Sequence, residues 1–296
     1  MRPPRWRGMT APGGTVRAWI ASPLRWHFLA VAAVSLSLGV ALFAVPGLGP
    51  SLWPYRIKDL AVRFFASVFL ALAVASVVAL RVPERRAREV LLVMGASVFG
   101  FIALAAVADP AALVASSGAV LWFALLTAFA LGSLLFLLRR PAATEPDAGP
   151  PMPRFLRYHF LLHTGVVLLF SLQFLLIPRF AAENGWPWRV SDPVMRGIGG
   201  LFTGVAIGMA WASRQRSWNR VRLLLPVNVT FVAGALLAVG LHWAQVTAES
   251  PGLHVTIPWL LLYVYTGAYP AYYLLQPPAS EGGGPRAGKR DRPRSA

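Results

Sequence analysis

Two histidines one helical turn apart have a spacing that metal and haem sites use. His159 and His163 have the spacing H-x3-H, which places both imidazoles on one face of a helix. Such a pair can bind a metal ion or, together with a residue of a second helix, a haem. His27 stands 132 positions before His159, but Val31 stands where His163 would have its counterpart. We therefore predict no metal site and no cofactor, with haem or metal binding as the lesser alternative.

Two Asp–Arg pairs at helical spacing are the leading candidate for a ligand or ion site. Asp59 precedes Arg63 by four residues, and Asp192 precedes Arg196 by four, so each pair can lie on one helical face as an ion pair. Each Asp also stands where an N-cap carboxylate would accept backbone N–H groups, and Pro193 suits the first helical position after it. These four charged residues are predicted to be helix caps or, alternatively, a site for an ion or a ligand.

The patterns of soluble catalytic sites are absent from the sequence. It contains no Gly-rich phosphate loop, no G-x-S-x-G and no H-E-x-x-H. Cysteine is also absent, so thiol nucleophiles and thiolate metal sites are excluded. We therefore predict that the protein is not an enzyme.

The elements that position these residues are apolar segments long enough to cross a lipid bilayer. Of the 296 residues 56% are hydrophobic and only 13% are charged, whereas about a quarter are charged in a soluble domain. A helix needs about 20 apolar residues to span the hydrocarbon layer. Eight runs approach this length, at 27–46, 60–80, 89–108, 113–138, 158–178, 194–212, 221–241 and 256–276. The fold class predicted is all-α, a polytopic membrane protein with eight transmembrane helices.

The net charge is +17, and the basic residues are concentrated in particular connections between these runs. With eight helices, 22 of the 28 Lys and Arg residues fall in the N-terminal segment, the second, fourth and sixth connections, and the C-terminal tail. Basic connections stay in the cytoplasm, so both termini are predicted to be inside, in a bacterial cytoplasmic membrane. We expect this face to attract anionic lipid headgroups, and we expect no nucleic-acid binding.

The two halves of the chain repeat each other. LRWHFL at 24–29 returns as LRYHFL at 156–161, and WPYRIKDLAVR at 53–63 returns as WPWRVSDPVMR at 186–196. The matches keep their order, which predicts a tandem duplication of a four-helix unit. An even number of crossings gives both units the same orientation, related by a pseudo-twofold axis along the membrane normal.

Composition and repetition together predict five parts. They are a cytoplasmic N-terminal segment (1–23), a first four-helix membrane repeat (24–140), a cytoplasmic linker (141–153), a second four-helix membrane repeat (154–276) and a disordered basic cytoplasmic tail (277–296).

Small residues follow each arginine of the Asp–Arg pairs at steps of four. The stripe consists of Ser67, Ala71 and Ala75 in the first half and of Gly200, Gly204 and Gly208 in the second. Small residues at this spacing let helix backbones approach closely in lipid. We predict that the second and sixth helices pack at the centre, with contact between them across the pseudo-twofold axis as one arrangement.

Aromatic residues and histidines near the predicted helix ends suggest anchors at the membrane surface. Trp53, Trp186 and Trp188 precede the second and sixth helices, and His27 and His159 stand beside an arginine and an aromatic residue. Since aromatic side chains favour the headgroup layer, we expect all five to be interfacial.

The W-P-[WY] segments before a helix with an arginine one turn inside, within a duplicated four-helix unit, carry a resemblance. The sequence resembles uncharacterised multi-pass membrane proteins of bacteria, particularly actinobacterial ones, over most of residues 24–276. That family has no assigned activity, so the resemblance implies the duplication and the location and supplies no catalytic residues.

The function predicted is that of a transporter-like or channel-like bundle with a path or site between the repeats, because duplicated bundles build such paths at the interface of their repeats. The alternative is a non-enzymatic membrane scaffold or accessory subunit, which explains the same residues by packing and anchoring. An intramembrane enzyme or haem protein ranks last.

Overall fold

The computed structural model describes residues 22–82, 85–108, 117–139 and 149–278. The predicted N-terminal segment up to residue 21, the linker up to residue 148 and the tail from residue 279 lie outside the described residues. The end of the linker is described: Met152 N–H donates to the Arg216 carbonyl at 2.8 Å, and Trp218 N–H donates to the Pro150 carbonyl at 2.9 Å.

Eight long helices account for most of the described residues, which form no strand. They are α1 (Pro23–Ala44), α2 (Asp59–Arg81), α3 (Arg85–Val107), α4 (Ser117–Leu138), α5 (Arg154–Leu176), α6 (Asp192–Ser213), α7 (Leu224–Leu241) and α8 (Leu253–Leu275). Shorter helices lie in the connections, at Gly49–Leu52, Pro178–Asn184 and Trp243–Glu249, with 3-10 turns at Pro46–Leu48 and Trp218–Arg220. The prediction of an all-α chain is confirmed for these residues.

Seven helices of the described chain, α1 to α7, are long and apolar enough to cross a membrane. The eighth long helix, α8, has 23 residues, but it carries five tyrosines and two prolines, which lower its hydropathy. The apolar helices agree with a membrane protein, and the eighth crossing stays a prediction.

The closest helix pairs form two groups that each combine both halves of the chain. In the first group α1 packs on α2, α2 on α7, and α7 on α8; in the second group α5 packs on α6, α6 on α3, and α3 on α4. The consecutive helices α2 and α3 touch each other only slightly. The two halves are therefore interleaved, and they do not stand side by side as separate bundles.

The bundle has two ends that differ in composition. The end where α1 finishes and α2 begins carries Trp53 and Trp186, and we call it the tryptophan end. The opposite end carries Arg85, Arg157 and Arg220, and we call it the arginine end. There Arg85 donates to the Phe136 carbonyl at the end of α4, and Arg157 donates to the Gln215 carbonyl after α6.

The stripes of small residues lie inside the protein, but they do not join α2 to α6. A Cβ on Gly204 would lie 2.4 Å from the Cα of Val98, so α6 touches the backbone of α3. A Cβ on Gly234 of α7 would lie 2.7 Å from the Ser67 hydroxyl of α2. The predicted contact between the two stripes is therefore wrong, because each stripe faces the third helix of the other half.

The reason lies in what α2 and α6 present to each other. Near the tryptophan end, aromatic side chains of α2 lie against α6 and against the connection before it. Phe64 packs edge-on against Trp186 of that connection, with ring centroids 5.6 Å apart, and a Cβ on Gly197 of α6 would lie 3.6 Å from the ring of Phe65. Gly197 of α6 leaves room for Tyr55, because a Cβ there would lie 2.6 Å from the phenol oxygen. Aromatic rings of this size hold two helix backbones apart, whereas α3 and α7 offer surfaces that small residues can approach.

Adding one methyl group to the α6–α3 contact is expected to destabilise the fold. In Gly204→Ala the new Cβ meets the α3 backbone, which cannot rotate away as a flexible side chain can. Overpacking of this kind costs about 1–3 kcal/mol, so the melting temperature of the purified protein in lipid discs should fall by about 2–8 °C.

Gly165→Ala is the matched control, because nothing lies within 4 Å of a Cβ at this position of α5. Its melting temperature should stay the same or rise slightly, since alanine favours the helix. Equal melting temperatures for the two variants would contradict close contact between α6 and α3.

Candidate ligand cavity between the two halves

A cavity of about 80 Å³ lies between helices of both halves. The first half contributes only apolar side chains of α2 and α3, among them Val68, Leu72 and Met94. The second half contributes residues of α5, α6, α7 and α8, and no Asp, Glu, Lys or Arg is among the lining residues. A charged ligand would lose its hydration without gaining a countercharge, so the lining suits an uncharged molecule.

The polar part of the lining comes entirely from the second half. It consists of His163 on α5, Asn228 on α7, and Tyr263 and Thr266 on α8, all of them buried. The Asn228 amide donates to the Thr266 carbonyl at 3.2 Å, and the Thr266 hydroxyl donates to the Tyr263 carbonyl at 3.1 Å. Three helices thus bring four hydrogen-bonding side chains to one wall.

Two atoms of this wall have no partner. His163 Nδ1 and the Tyr263 hydroxyl are buried, and neither makes a hydrogen bond with the described residues. A buried polar group without a partner costs about 1–3 kcal/mol. A cavity needs only about 10–15 Å³ to hold a water molecule, so this one has room for a bound molecule that supplies the missing hydrogen bonds.

His159 belongs to the same side of the protein as the cavity. Its ring centroid lies 5.6 Å from that of His163, it stacks on Tyr269 at 4.5 Å, and its Nδ1 lies 3.3 Å from the Tyr265 hydroxyl. The side chain is only 2% exposed, so it is covered by protein, and its interfacial position in a membrane stays a prediction. Its aromatic neighbours on α8 cover it, which a single sequence does not reveal.

His27 occupies the related place in the first half. It is half-buried, and its Nε2 lies 3.2 Å from the Ser133 hydroxyl of α4. Both histidines therefore connect the first helix of their half to the last. Among the described residues, no three His, Asp or Glu side chains are grouped so as to hold a metal ion.

The four corresponding positions of the first half carry apolar residues. The sequence matches pair His163 with Val31, Asn228 with Met94, Tyr263 with Leu126, and Thr266 with Phe129. A smaller cavity of about 20 Å³ lies there, and its polar lining residues are His27, Ser76 and Ser133. The sequence analysis missed Tyr263 and Thr266, but this difference between the halves is the signal that would have found them.

Aromatic side chains fill the tryptophan end. Trp53, Trp186 and Trp188 are 1%, 0% and 1% exposed, so they pack inside the protein. Their interfacial position in a membrane stays a prediction. Trp186 packs on Trp188 at 4.8 Å and on Trp259 of the cavity wall at 4.9 Å. These rings lie against one another because the connections before α2 and α6 fold inward, and they close the bundle beside the cavity.

Tyr55 belongs to the same aromatic layer. Burial raises the pKa of its phenol to about 12. The group therefore stays neutral at any physiological pH, and the layer adds no charge near the cavity.

The two Asp residues of the predicted Asp–Arg site begin their helices. Asp59 and Asp192 are the first residues of α2 and α6, the N-cap positions are Lys58 and Ser191, and neither N-cap side chain makes a capping hydrogen bond. The predicted N-cap role is therefore shifted by one residue. A carboxylate in the first turn still interacts favourably with the helix dipole.

Arg63 binds groups other than Asp59. Its Nε donates to the Phe43 carbonyl at 2.9 Å, and its Nη1 donates to His242 Nε2 at 2.6 Å. Both residues of the Asp59–Arg63 pair are described, and no ion pair joins them. The guanidinium instead satisfies acceptors at the ends of α1 and α7, where carbonyl groups lack partners within their own helix.

The charged candidates do not line the cavity. Asp59, Arg63, Asp192 and Arg196 are all absent from its wall. The structure therefore does not combine them with His163 and Tyr263, and their role as an ion site stays a prediction.

The chain matches no protein-family model, no curated protein and no solved structure. The resemblance to actinobacterial membrane proteins stays a prediction, and the function has to be inferred from the chemistry of the cavity.

The contact between Arg63 and His242 is expected to make stability depend on pH. Burial lowers the pKa of His242 below its ordinary value of 6.5, the nearby Arg63 lowers it further, and Asp59 acts in the opposite direction. The folded protein then binds fewer protons than the unfolded chain. This contribution to stability is complete above pH 6.5 and is lost as the pH falls below it.

The variant His242→Gln keeps an acceptor for Arg63 and removes the titration. Its melting temperature should fall less between pH 7 and pH 5 than that of the wild type, whereas the exposed control His254→Gln should follow the wild type. Identical pH profiles for all three proteins would contradict the role of His242.

Proposed function

We propose that this chain is an integral membrane protein with a transporter-like bundle that binds a small, uncharged molecule in the cavity between its two halves. The arginine end faces the cytoplasm, and the tryptophan end faces the opposite side of a bacterial cytoplasmic membrane. Anionic lipid headgroups are partners of the arginine end.

The outer surface of the bundle supports the membrane assignment. Large apolar side chains such as Leu121, Leu135, Leu169 and Leu261 are more than half exposed. Soluble monomers rarely expose contiguous apolar patches larger than a few hundred Å². On a helix bundle of this length the natural partner of such a surface is the acyl region of a bilayer.

The order of helix contacts supports a duplicated origin of the two halves. The first group, α1–α2–α7–α8, becomes the second group, α5–α6–α3–α4, when each helix is exchanged for its counterpart four places along the chain. A pseudo-twofold axis between the groups relates them in this proposal. Transport proteins with internal repeats form their substrate sites at such an interface.

One observation carries the assignment of a ligand site: His163 Nδ1 and the Tyr263 hydroxyl lie unpartnered in the wall of an internal cavity. A scaffold needs only packing at these positions, and the first half packs Val31 and Leu126 there. Apolar residues would avoid the cost of burying polar atoms without hydrogen bonds. The polar wall is explained when a ligand forms those bonds.

The test compares the small molecules that co-purify with the wild type and with two variants. The proteins are extracted in lipid discs, and small molecules released on denaturation are quantified by mass spectrometry. The wild type should carry a small uncharged molecule at close to one per chain, and His163→Val should carry at least tenfold less.

Thr164→Val is the matched control on the same helix, since the Thr164 hydroxyl donates to the Phe160 carbonyl of its own helix and does not line the cavity. It should carry as much of the molecule as the wild type. Equal loading of His163→Val, or no loading of the wild type, would overturn the ligand site and leave a scaffold with polar packing groups.

A further inference from the structure

The helices α5 and α8 form one side of the cavity, but they do not pack closely on each other. They are not one of the close helix pairs, and aromatic side chains fill the space between them. Phe170 of α5 lies 4.8 Å from Trp259 of α8, and His159 stacks on Tyr269 nearer the arginine end. We call this contact between α5 and α8 the seam. It is closed by rings, which can rotate, and not by backbone contact.

A groove on the outer surface of α5 reaches the seam at Phe170. It has a volume of about 410 Å³ and is lined by Leu169, Phe170, Leu172, Gln173, Leu176 and Ile177 of α5 and the residue after it. Phe170 lines both this groove and the central cavity. Its ring therefore lies beside both spaces.

The groove contains one polar side chain. Gln173 lies one turn before the end of α5, and its amide makes no hydrogen bond with the described residues. The side chain is half-buried, so its amide is open to a molecule in the groove that has a hydrogen-bonding group of its own.

In the first half the corresponding contact, between α1 and α4, is closer. There α1 and α4 approach each other closely enough that a Cβ on Gly132 would lie 2.9 Å from the His27 ring. Leu38 stands at the position that corresponds to Phe170, and Ala41 stands at the position that corresponds to Gln173. The wide aromatic seam, the groove amide of Gln173, and His163 and Tyr263 of the cavity wall therefore occur together in the second half.

From these observations we infer that the ligand is a lipid-soluble, uncharged molecule with a hydrogen-bonding group, which enters from the bilayer between α5 and α8 past Phe170. Gln173 binds it in the groove, and His163 and Tyr263 bind it in the cavity. The inference rests on the proposed function, since it names the ligand class and the route for the same cavity.

The absence of cysteine from the sequence permits a direct test of the route. Thr266→Cys places a single thiol in the cavity wall, and Ala235→Cys places one at a buried position of α7 outside the cavity. Membranes are treated with N-ethylmaleimide, which is uncharged and dissolves in lipid, or with a methanethiosulfonate that carries a trimethylammonium charge and stays in water. Both sides of the membrane are exposed to the reagents.

Access from lipid predicts that N-ethylmaleimide labels Thr266→Cys at least tenfold faster than Ala235→Cys. The charged reagent should label the two variants at the same slow rate. Adding Phe170→Ala to Thr266→Cys should raise the rate with N-ethylmaleimide several-fold, and adding Phe170→Trp should lower it.

Phe155→Ala serves as the control for the Phe170 variants, because Phe155 is an exposed phenylalanine of the same helix near the arginine end. It should leave the labelling rate unchanged. If Phe170→Ala does not fold, Phe170→Leu replaces it, since the first half tolerates leucine at that place.

The outcomes separate the inference from the proposed function. Fast labelling by the charged reagent would overturn access from lipid and would leave the cavity as a site reached from water. Fast labelling by N-ethylmaleimide at a rate that the Phe170 substitutions do not change would overturn entry past Phe170. A thiol at position 266 that reacts with neither reagent would overturn the route, and the loading of the extracted wild type then decides alone whether the cavity holds a ligand.

Discussion

The close approach of helix backbones from opposite halves is the constraint on which the rest of the structure depends. In lipid no hydrophobic force drives apolar helices together, so association depends on packing and interhelical hydrogen bonds. Gly204 lets α6 touch the backbone of α3, and Gly234 lets α7 touch Ser67 of α2. Because both contacts join one half of the chain to the other, they hold the halves in an interleaved arrangement and fix the space that remains between them.

The cavity lies where large side chains hold two helices apart. The rings of Phe170, Trp259, His159 and Tyr269 hold α5 and α8 apart, and the central cavity lies behind them. In the first half Gly132 brings α4 close to α1, and the related cavity is only about 20 Å³. Two segments of similar sequence thus enclose different volumes, because a few positions exchange small residues for aromatic ones.

Charge stays at the two ends of the bundle while the cavity wall has none. At the tryptophan end Arg63 is held by the Phe43 carbonyl and His242, and at the arginine end Arg85 is held by the Phe136 carbonyl. Arginines that satisfy helix ends stabilise the connections without entering the interior. In the proposed function, the cavity therefore selects uncharged molecules by shape and hydrogen bonding.

The sequence by itself determined the helices and their order, because each apolar run is long enough to satisfy its own backbone in lipid. It also marked the residues with chemical capacity, including His163, and the small-residue stripes of α2 and α6. It could not determine which surfaces meet. Only the tertiary structure decided that Gly204 faces Val98, that Trp186 is buried, and that Tyr263 and His163 share one cavity. The physical reason is that helix periodicity fixes the direction of a side chain around its own axis, whereas the partner on the other side depends on the complementary shape of a helix far away in the chain.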